Sequence, residues 1–458
     1  MSDPIASHHA ADSSAAGDSA ARNRSLNRRP HVVIVGAGFA GLWAAQGLSG
    51  EDVDITLLDK HNYHTFFPLL YQVAAAELGP SDIAYPVRSM LRRADGVRFR
   101  MAEVTGLDTA KKQVQTSIGA LDYDALILAL GSVPAYFGVE GAEEFAYPLR
   151  VMDDALPLRR EVLSRFEVAS HEHDPAKREQ LLTFVIVGGG PTGVEFAGAL
   201  SELIHGPLMR DYPGIARDEV QIVLVEGQDR VLGGMKPRLS RYAEKRLGSR
   251  NVDVRLNTFV KRIHPHGVEL ADGSQIASET VVWTAGIQGD PIVRQWGLPT
   301  GSLGRVEVEE TLQVKGHPEI WVGGDLARSI GDDGEPLPQV APVAVQQGNH
   351  LAETVGAWLR GEAPPAFRFK DPGMLAVVGR SHAVAQVFGT TMTGVIAWIL
   401  WAVVHVAKLV GFRNRMLVLV NWAWNYLFYE RSVRLILPVE KSRIKHDVET
   451  SGLEEPAG

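Results

Sequence analysis

The chain has 458 residues, room for about three domains of ordinary size. Hydrophobic residues make up 45% and charged residues 22%, the balance of a globular protein that buries a core without staples. The net charge is −8 and there is no cysteine, so no basic field points to nucleic acid, and disulfides, thiolate metal sites, iron–sulfur clusters and cysteine nucleophiles are excluded.

Residues 1–30 are rich in Ala, Ser and Arg, lack an apolar run and carry Asp3, Asp12 and Asp18. They read as a disordered tail rather than a secretory signal. A β-branched run at His31–Val35 then predicts a buried parallel strand, followed by a helix over Leu42–Leu48 and a second strand at Ile55–Leu58. Asp124–Leu130 is a further strand. The pattern restarts at the strand Leu182–Val187, with a helix over Val194–Leu203 and a strand at Gln221–Val225. His205–Glu219 reads as an inserted loop. The two halves form a weak internal repeat, which suggests two similar nucleotide-binding modules. Short strands at Val281–Ala285 and Ile320–Val322 each run into glycine, and a helix is predicted over Val343–Leu359.

Two glycine loops carry the chemistry. Gly36-Ala37-Gly38-Phe39-Ala40-Gly41 stands between a strand and a helix. Its first glycine permits the tight turn, its second lets the backbone approach a pyrophosphate, and its third allows close helix–strand packing. Asp59, with Lys60 beside it, closes the next strand, where an acid accepts hydrogen bonds from a ribose. Gly188-Gly189-Gly190-Pro191-Thr192-Gly193 repeats the logic, with Glu226 as its acid. A carboxylate there repels a 2′-phosphate and favours NADH over NADPH; the alternative for Glu226 is a solvated strand end. Two dinucleotide loops imply two dinucleotides, most economically a tightly held, non-covalent FAD and a nicotinamide that passes hydride to it.

At this point the chain resembles the two-dinucleotide-binding flavoproteins, the glutathione-reductase-like superfamily: first loop, second loop, then a late Gly323-Gly324-Asp325. The resemblance implies that Asp325 lies near the flavin ribityl and pyrophosphate. It also implies that Gly131 of Ala129-Leu130-Gly131 and Gly286 of Thr284-Ala285-Gly286 line linking strands beside FAD. The absence of cysteine removes the disulfide reductases and sulfide:quinone oxidoreductases among these relatives. Three stretches resemble the type II, non-proton-pumping NADH:quinone oxidoreductases: His64–Ala74 (HTFFPLLYQVA), Gly188–Gly198 (GGGPTGVEFAG) and Ala341–Gly348 (APVAVQQG). The similarity runs from about His31 to Leu437. It implies transfer of hydride from NADH to FAD and of two electrons from FAD to a membrane quinone. It also implies a role for Glu195, near the flavin, in nicotinamide placement or proton handling, and quinone contacts from Gln346 and Gln347. By itself Glu195 reads equally as a helix-start acid favoured by the dipole, and the glutamines as a solvated helix face. Pro342 and Pro372 stand where the family often carries Gln and Lys, which leaves Gln346 as the matching polar residue.

The histidines show no metal-ligand spacing and no G-x-S-x-G is present, so neither a metal site nor a serine hydrolase is expected. His405 reads as a packed or interfacial side chain. From Thr391 to Leu437 the chain turns apolar, with a net charge of +4 that leaves −12 on the rest, and with Trp398, Trp401, Trp422 and Trp424. Its 19-residue run Gly394–Phe412 and the shorter run after it allow a segment lying in the bilayer interface, a buried or dimer-forming helix pair, or a span. His405/Lys408 and Asn421/Asn425 each mark a narrow polar stripe.

The expected fold is α/β, with two Rossmann-like domains and a C-terminal amphipathic helical membrane-binding segment. The FAD domain is expected over 31–150 and 285–365, the NADH domain over 151–284, the membrane segment over 366–438 and a flexible tail over 439–458. The expected protein is a peripheral, monotopic enzyme on the cytoplasmic face of the inner or cell membrane, with a homodimer as a further expectation. A soluble NADH-dependent ferredoxin- or rubredoxin-type reductase, or a slow-turnover redox-sensing flavoprotein, is the alternative.

Overall fold

The computed structural model describes residues 28–428 and 434–436, so the tails expected at either end lie outside the described residues except at Arg28, Arg29 and Pro30. Arg28 forms a two-pronged pair with Asp124 at 2.8 and 2.9 Å. The chain forms two compact units. Among the described residues, one holds 28–65, 84–135 and 287–372; the other holds 66–83, 136–286 and those from 373 onward.

The first unit is built on a six-stranded sheet. Its order is Gln313–Val314, His317–Val322, Ala125–Leu128, His31–Val35, Asp54–Asp59 and Val97–Met101. All neighbours are parallel except the first pair. Val32, Val33, Ile34, Leu57, Leu126 and Trp321 are fully buried in its core. A strand covered on both faces has no polar face, which is why these segments read as unbroken apolar runs. The helix Phe39–Gly47 lies against the helix Ala341–Leu359. Glycine makes the approach possible: a Cβ on Gly348 would meet the Ala40 carbonyl oxygen at 2.5 Å.

The second unit carries a five-stranded, all-parallel sheet in the order Tyr147–Pro148, Thr280–Trp283, Thr183–Val187, Gln221–Val225 and Val252–Arg255. A three-stranded antiparallel sheet, Met374–Gly379, His382–Val387 and Thr390–Thr393, belongs to the same unit. The helix Pro191–Leu203 crosses it closely, since a Cβ on Gly198 would stand 2.5 Å from the Val378 carbonyl oxygen. The inserted segment after that helix is a π-turn, Ile204–Leu208, a short helix, Met209–Asp211, and a single 3₁₀ turn, Arg217–Glu219, rather than open loop.

The C-terminal apolar stretch folds as two helices, Gly394–Lys408 and Phe412–Phe428. The first ends at Leu409, which is extended (ψ 136°), and Gly411 turns the chain at φ +85°. Arg415 donates to the carbonyls of Ala407 and Leu409 and so caps the end it follows. No helix among the described residues is long and apolar enough to cross a membrane.

The units divide the chain differently from the sequence-based boundaries. Residues 66–83 and 136–150, which the sequence assigns to the first domain, cluster with the second unit. Residues 136–150 join it through the pairing of Tyr147–Pro148 with the strand Thr280–Trp283, and 66–83 through long-range polar docking. Asn414 donates to the Ser81 carbonyl (3.2 Å), Asn421 to the Asp82 carboxylate (3.0 Å) and Asn425 to the Glu77 carbonyl (3.3 Å). The asparagine stripe read from the sequence is the face by which the last helix grips residues 77–82.

Candidate functional site

The first glycine loop is a rigid cradle. Gly36 donates to the Leu58 carbonyl (2.7 Å), and at φ +103° a Cβ there would meet the Ala129 carbonyl oxygen at 2.2 Å. A Cβ on Gly41 would stand 1.9 Å from the Gly36 oxygen, whereas one on Gly38 would meet nothing within 4 Å. The loop is therefore closed at its first and third glycines and open at its second. The helix Phe39–Gly47 starts there with no capping side chain and no acid in its first turn, which leaves its positive end toward the open second glycine. Asp59 accepts from the Ala37 N–H and the His61 N–H, both at 2.7 Å, which ties the loop to the neighbouring strand. Lys60 is exposed beside it.

Sequence reading passed over a buttress of this loop. His64 is buried, and its Nδ1–H donates to the Ala37 carbonyl at 3.0 Å. Its ring meets Phe39 edge-on, with centroids 4.9 Å apart. Burial holds this imidazole below its ordinary pKa and keeps it neutral. The HTFFPLL stretch was the available signal.

Asp325 is buried, with Ser132 Oγ donating to its carboxylate (2.8 Å) and Gln339 to its carbonyl (3.0 Å). Gly131 precedes Ser132 at φ +77°, with open space in front of it. The structure thus brings Gly131 and Asp325 to one place, joined through Ser132.

The glutamine pair departs from expectation. Gln347 is fully buried: its carbonyl accepts from the Gly324 N–H (2.7 Å) and its amide donates to Ser329 Oγ (3.0 Å). Both ends of Gln346 are held by the backbone of Lys370, at 2.8 and 3.0 Å. The reading of Gln347 as a quinone contact is corrected: its amide holds the turn that carries Asp325.

The second loop repeats the cradle. Gly188 donates to the Val225 carbonyl (2.8 Å), and a Cβ on Gly193 would meet the Gly188 oxygen at 1.9 Å, while one on Gly190 would meet nothing. Thr284 Oγ1 lies 2.9 and 3.0 Å from the carbonyl oxygens of Val187 and Gly188. Glu226 accepts from the Gly189 N–H (2.5 Å) and the Gln228 N–H (2.8 Å), as Asp59 does in the first loop. Glu226 is thus engaged at the loop and not merely a solvated strand end. Thr192 is exposed at the helix start, and Gly286 follows the strand Thr280–Trp283. Both loops satisfy the shape and polarity that a dinucleotide pyrophosphate requires.

The second helix begins at Pro191, three residues earlier than the sequence suggests, which puts Glu195 in its second turn rather than its first. Glu195 is 8% exposed and accepts from the Val377 N–H at 3.2 Å. Burial lifts its carboxyl to about 8, opposed by the Val377 N–H and the Trp401 indole. It borders a cavity of about 600 Å³ within the second unit. One wall of this cavity is aromatic, with Trp398, Trp401, Trp422 and Tyr426. Trp422 Nε1 donates to Gln72 (2.9 Å), which donates to the Tyr71 hydroxyl (3.0 Å). Tyr71 and Gln72 come from the stretch HTFFPLLYQVA, but no local pattern places them beside Glu195. His405 is packed, as read: its Nδ1–H donates to the Trp401 carbonyl at 2.7 Å, its ring lies over Trp401, and burial takes it down to about 4.

With this geometry in hand, similarity to known proteins is informative. Residues 30–348 match the pyridine nucleotide-disulphide oxidoreductase family and residues 372–430 match the NDH2 C-terminal domain. A type II NADH:quinone oxidoreductase of Mycobacterium tuberculosis is 37% identical over 420 residues, 88% of either chain. One of Staphylococcus haemolyticus is 32% identical over 80% of this chain and 92% of its own. The structure of NDH2 from Plasmodium falciparum in complex with NADH superposes with a TM-score of 0.83 at 19% identity, over 90% of this chain and all of that one.

Proposed function

The chain belongs to the type II NADH:quinone oxidoreductases, and from that premise we propose how its residues divide the work. The reaction is NADH + H⁺ + quinone → NAD⁺ + quinol, carried through FAD and without proton pumping. When bound, FAD takes up the hydride from NADH and delivers the electrons to quinone.

The first cradle holds FAD: Gly36, Gly38, Phe39, Ala40 and Gly41 receive the pyrophosphate at the helix start. Asp59 and Lys60 take the ribose end, and Gly131 and Asp325 the ribityl side. The second cradle receives NADH at Gly188, Gly190, Thr192 and Gly193, with the Glu226 charge disfavouring a 2′-phosphate. Glu195 is the proton carrier. Quinol contains one more proton than NADH supplies, and a carboxyl lifted to about 8 is protonated at neutral pH and able to give that proton up. This buried acid in the second cradle's helix, beside the cavity, is the observation that carries the reading. Gln346, anchored on Lys370, keeps one amide hydrogen for a quinone carbonyl.

The two C-terminal helices rest on the cytoplasmic bilayer surface. Ile396 (70% exposed), Val403, Phe412 and Leu427 (68% exposed) are apolar side chains left exposed on these helices, and Lys408 and Arg413 are exposed with them. Full-length protein floats with anionic liposomes, and I396E with L427E releases it; flotation of the double variant sinks this placement.

The central test is spectroscopic. Purified protein shows an oxidised flavin spectrum that NADH bleaches without oxygen and a short-chain quinone restores. Recovery no faster with quinone than with buffer would favour a redox sensor instead.

A further inference from the structure

A single exposed phenylalanine needs no explanation by itself. Phe259, which is 63% exposed, differs in where it stands and in how firmly its backbone is held. The strand Val252–Arg255 pairs in parallel with Gln221–Val225, so the two end together at the edge of the sheet where Glu226 lies. Ligands of open parallel sheets collect beyond those carboxyl ends. After Arg255 the chain bends at Asn257, left-handed at φ +51°, and runs beside the residues that carry the acid. The Asn257 N–H donates to the Gln228 carbonyl and the Thr258 N–H to the Glu226 carbonyl, both at 2.9 Å. The Phe259 carbonyl in turn accepts from the Ala271 N–H at 2.8 Å. Phe259 therefore stands on a backbone fixed from both sides, just before the strand Val260–His264.

Its ring lies against Gly227, the residue that follows Glu226. A Cβ on Gly227 would stand 2.6 Å from one ring carbon and 3.0 and 3.1 Å from two others. One edge of the ring thus takes the space that a side chain at position 227 would fill, while most of the residue stays uncovered. A dinucleotide held by its pyrophosphate at the glycine loop and by its ribose at Glu226 carries its base on that same ribose. The base is therefore set down next to the acid. A purine is flat, apolar on its faces and hydrogen-bonding only at its edges, so a fixed aromatic ring is a fitting partner for it.

We propose that Phe259 is the platform on which the adenine of NADH stacks, and that Gly227 is glycine so that this ring can lie against the backbone beside Glu226. The inference rests on the second cradle as the NADH site. It makes Phe259 a binding residue for the half of the substrate that does not react. A ring already held in place loses little further freedom when the base arrives. Stacking on the base is the same before and during hydride transfer, so it raises affinity and leaves the rate at saturation alone. Glu226 and Phe259 then divide the recognition of the adenosine end. The carboxylate selects a ribose without a 2′-phosphate, and the ring takes the base.

Anaerobic stopped-flow bleaching of the holoenzyme flavin tests this. The reductants are NADH and reduced nicotinamide mononucleotide, which has the same reacting ring and no adenosine. In F259A the half-saturating NADH concentration is expected to rise about tenfold, while the bleaching rate at saturation keeps its wild-type value. The mononucleotide should bleach wild type and F259A alike. F259W restores a flat ring and should hold half-saturation at or below the wild-type value. Wild-type half-saturation for NADH in F259A overturns the platform. Equal weakening toward NADH and the mononucleotide also overturns it, because the ring would then only shape the loop. E226A separates the platform from the reading beneath it. If E226A weakens NADH and F259A does not, the platform falls and the cradle stands; if neither weakens it, both fall.

Discussion

The two glycine loops of this chain are near copies up to the third glycine and part company two residues later. Position three of each loop packs on position one, with a hypothetical Cβ 1.9 Å from the first glycine's oxygen in both. Each closing acid accepts the N–H that follows the first glycine. Two residues beyond the third glycine, the first helix carries Trp43 and the second carries Glu195. Trp43 packs with Phe39 and His64, and a Cβ on Gly348 would stand 2.8 Å from its own Cβ. Glu195 instead borders a cavity, and burial lifts its carboxyl to about 8. The same scaffold is packed shut beside the first loop and left open, with a buried acid, beside the second.

The sharpest way to break this contrast is at the third glycines. G41V should yield protein without flavin. G193V should keep its flavin and lose rapid bleaching by NADH, because overpacking at ~1–3 kcal/mol, if all of it falls on the bound state, weakens nucleotide affinity roughly 5- to 150-fold. Flavin absorbance per protein and anaerobic stopped-flow bleaching separate the two; loss of flavin from both variants would mean that the loops are not specialised.

The next effect is on turnover. E195Q should slow quinone reduction by roughly 100-fold while flavin content stays full. The mirror variant W43F should change thermal stability but leave turnover per flavin unchanged, and equal slowing in both would erase the distinction.

A smaller signature lies in stability against pH. The Glu195 carboxyl is raised from an ordinary 4.5 to about 8 in the folded chain. Unfolded chain therefore releases this proton above about 4.5, while folded chain keeps it, so wild type loses stability as pH rises toward 8 and no further beyond it. E195Q lacks that loss. Its melting temperature should gain on wild type between pH 5 and pH 8 and then run parallel, and a constant gap would mean that the carboxyl is not desolvated.

Legibility followed the range of the interactions involved. The strands His31–Val35 and Gln221–Val225 are legible to the residue, because a strand buried on both faces leaves an unbroken β-branched run. The helix Pro191–Leu203 was read from Val194, since proline and glycine at its start look like a loop, although proline is well suited to a first helical position. The asparagine stripe at 421 and 425 was visible, but its partners near Asp82 were not, because they lie more than 300 residues away in the chain. The glutamines illustrate the converse. Their motif was legible, yet only the fold shows Gln347 consumed by Gly324 and Ser329.

By itself the sequence determined two nucleotide cradles, their order, the acids that close them and the change to an apolar C-terminus, because each is written in local spacing and in backbone needs that few residues meet. Tertiary structure decided that Glu195 is buried, which raises its pKa, which glutamine side chains are spent within the fold, and that His205 and Glu202 line a cavity with that acid. Those outcomes depend on burial and on side chains brought together from distant segments, and neither leaves a periodic mark on the chain.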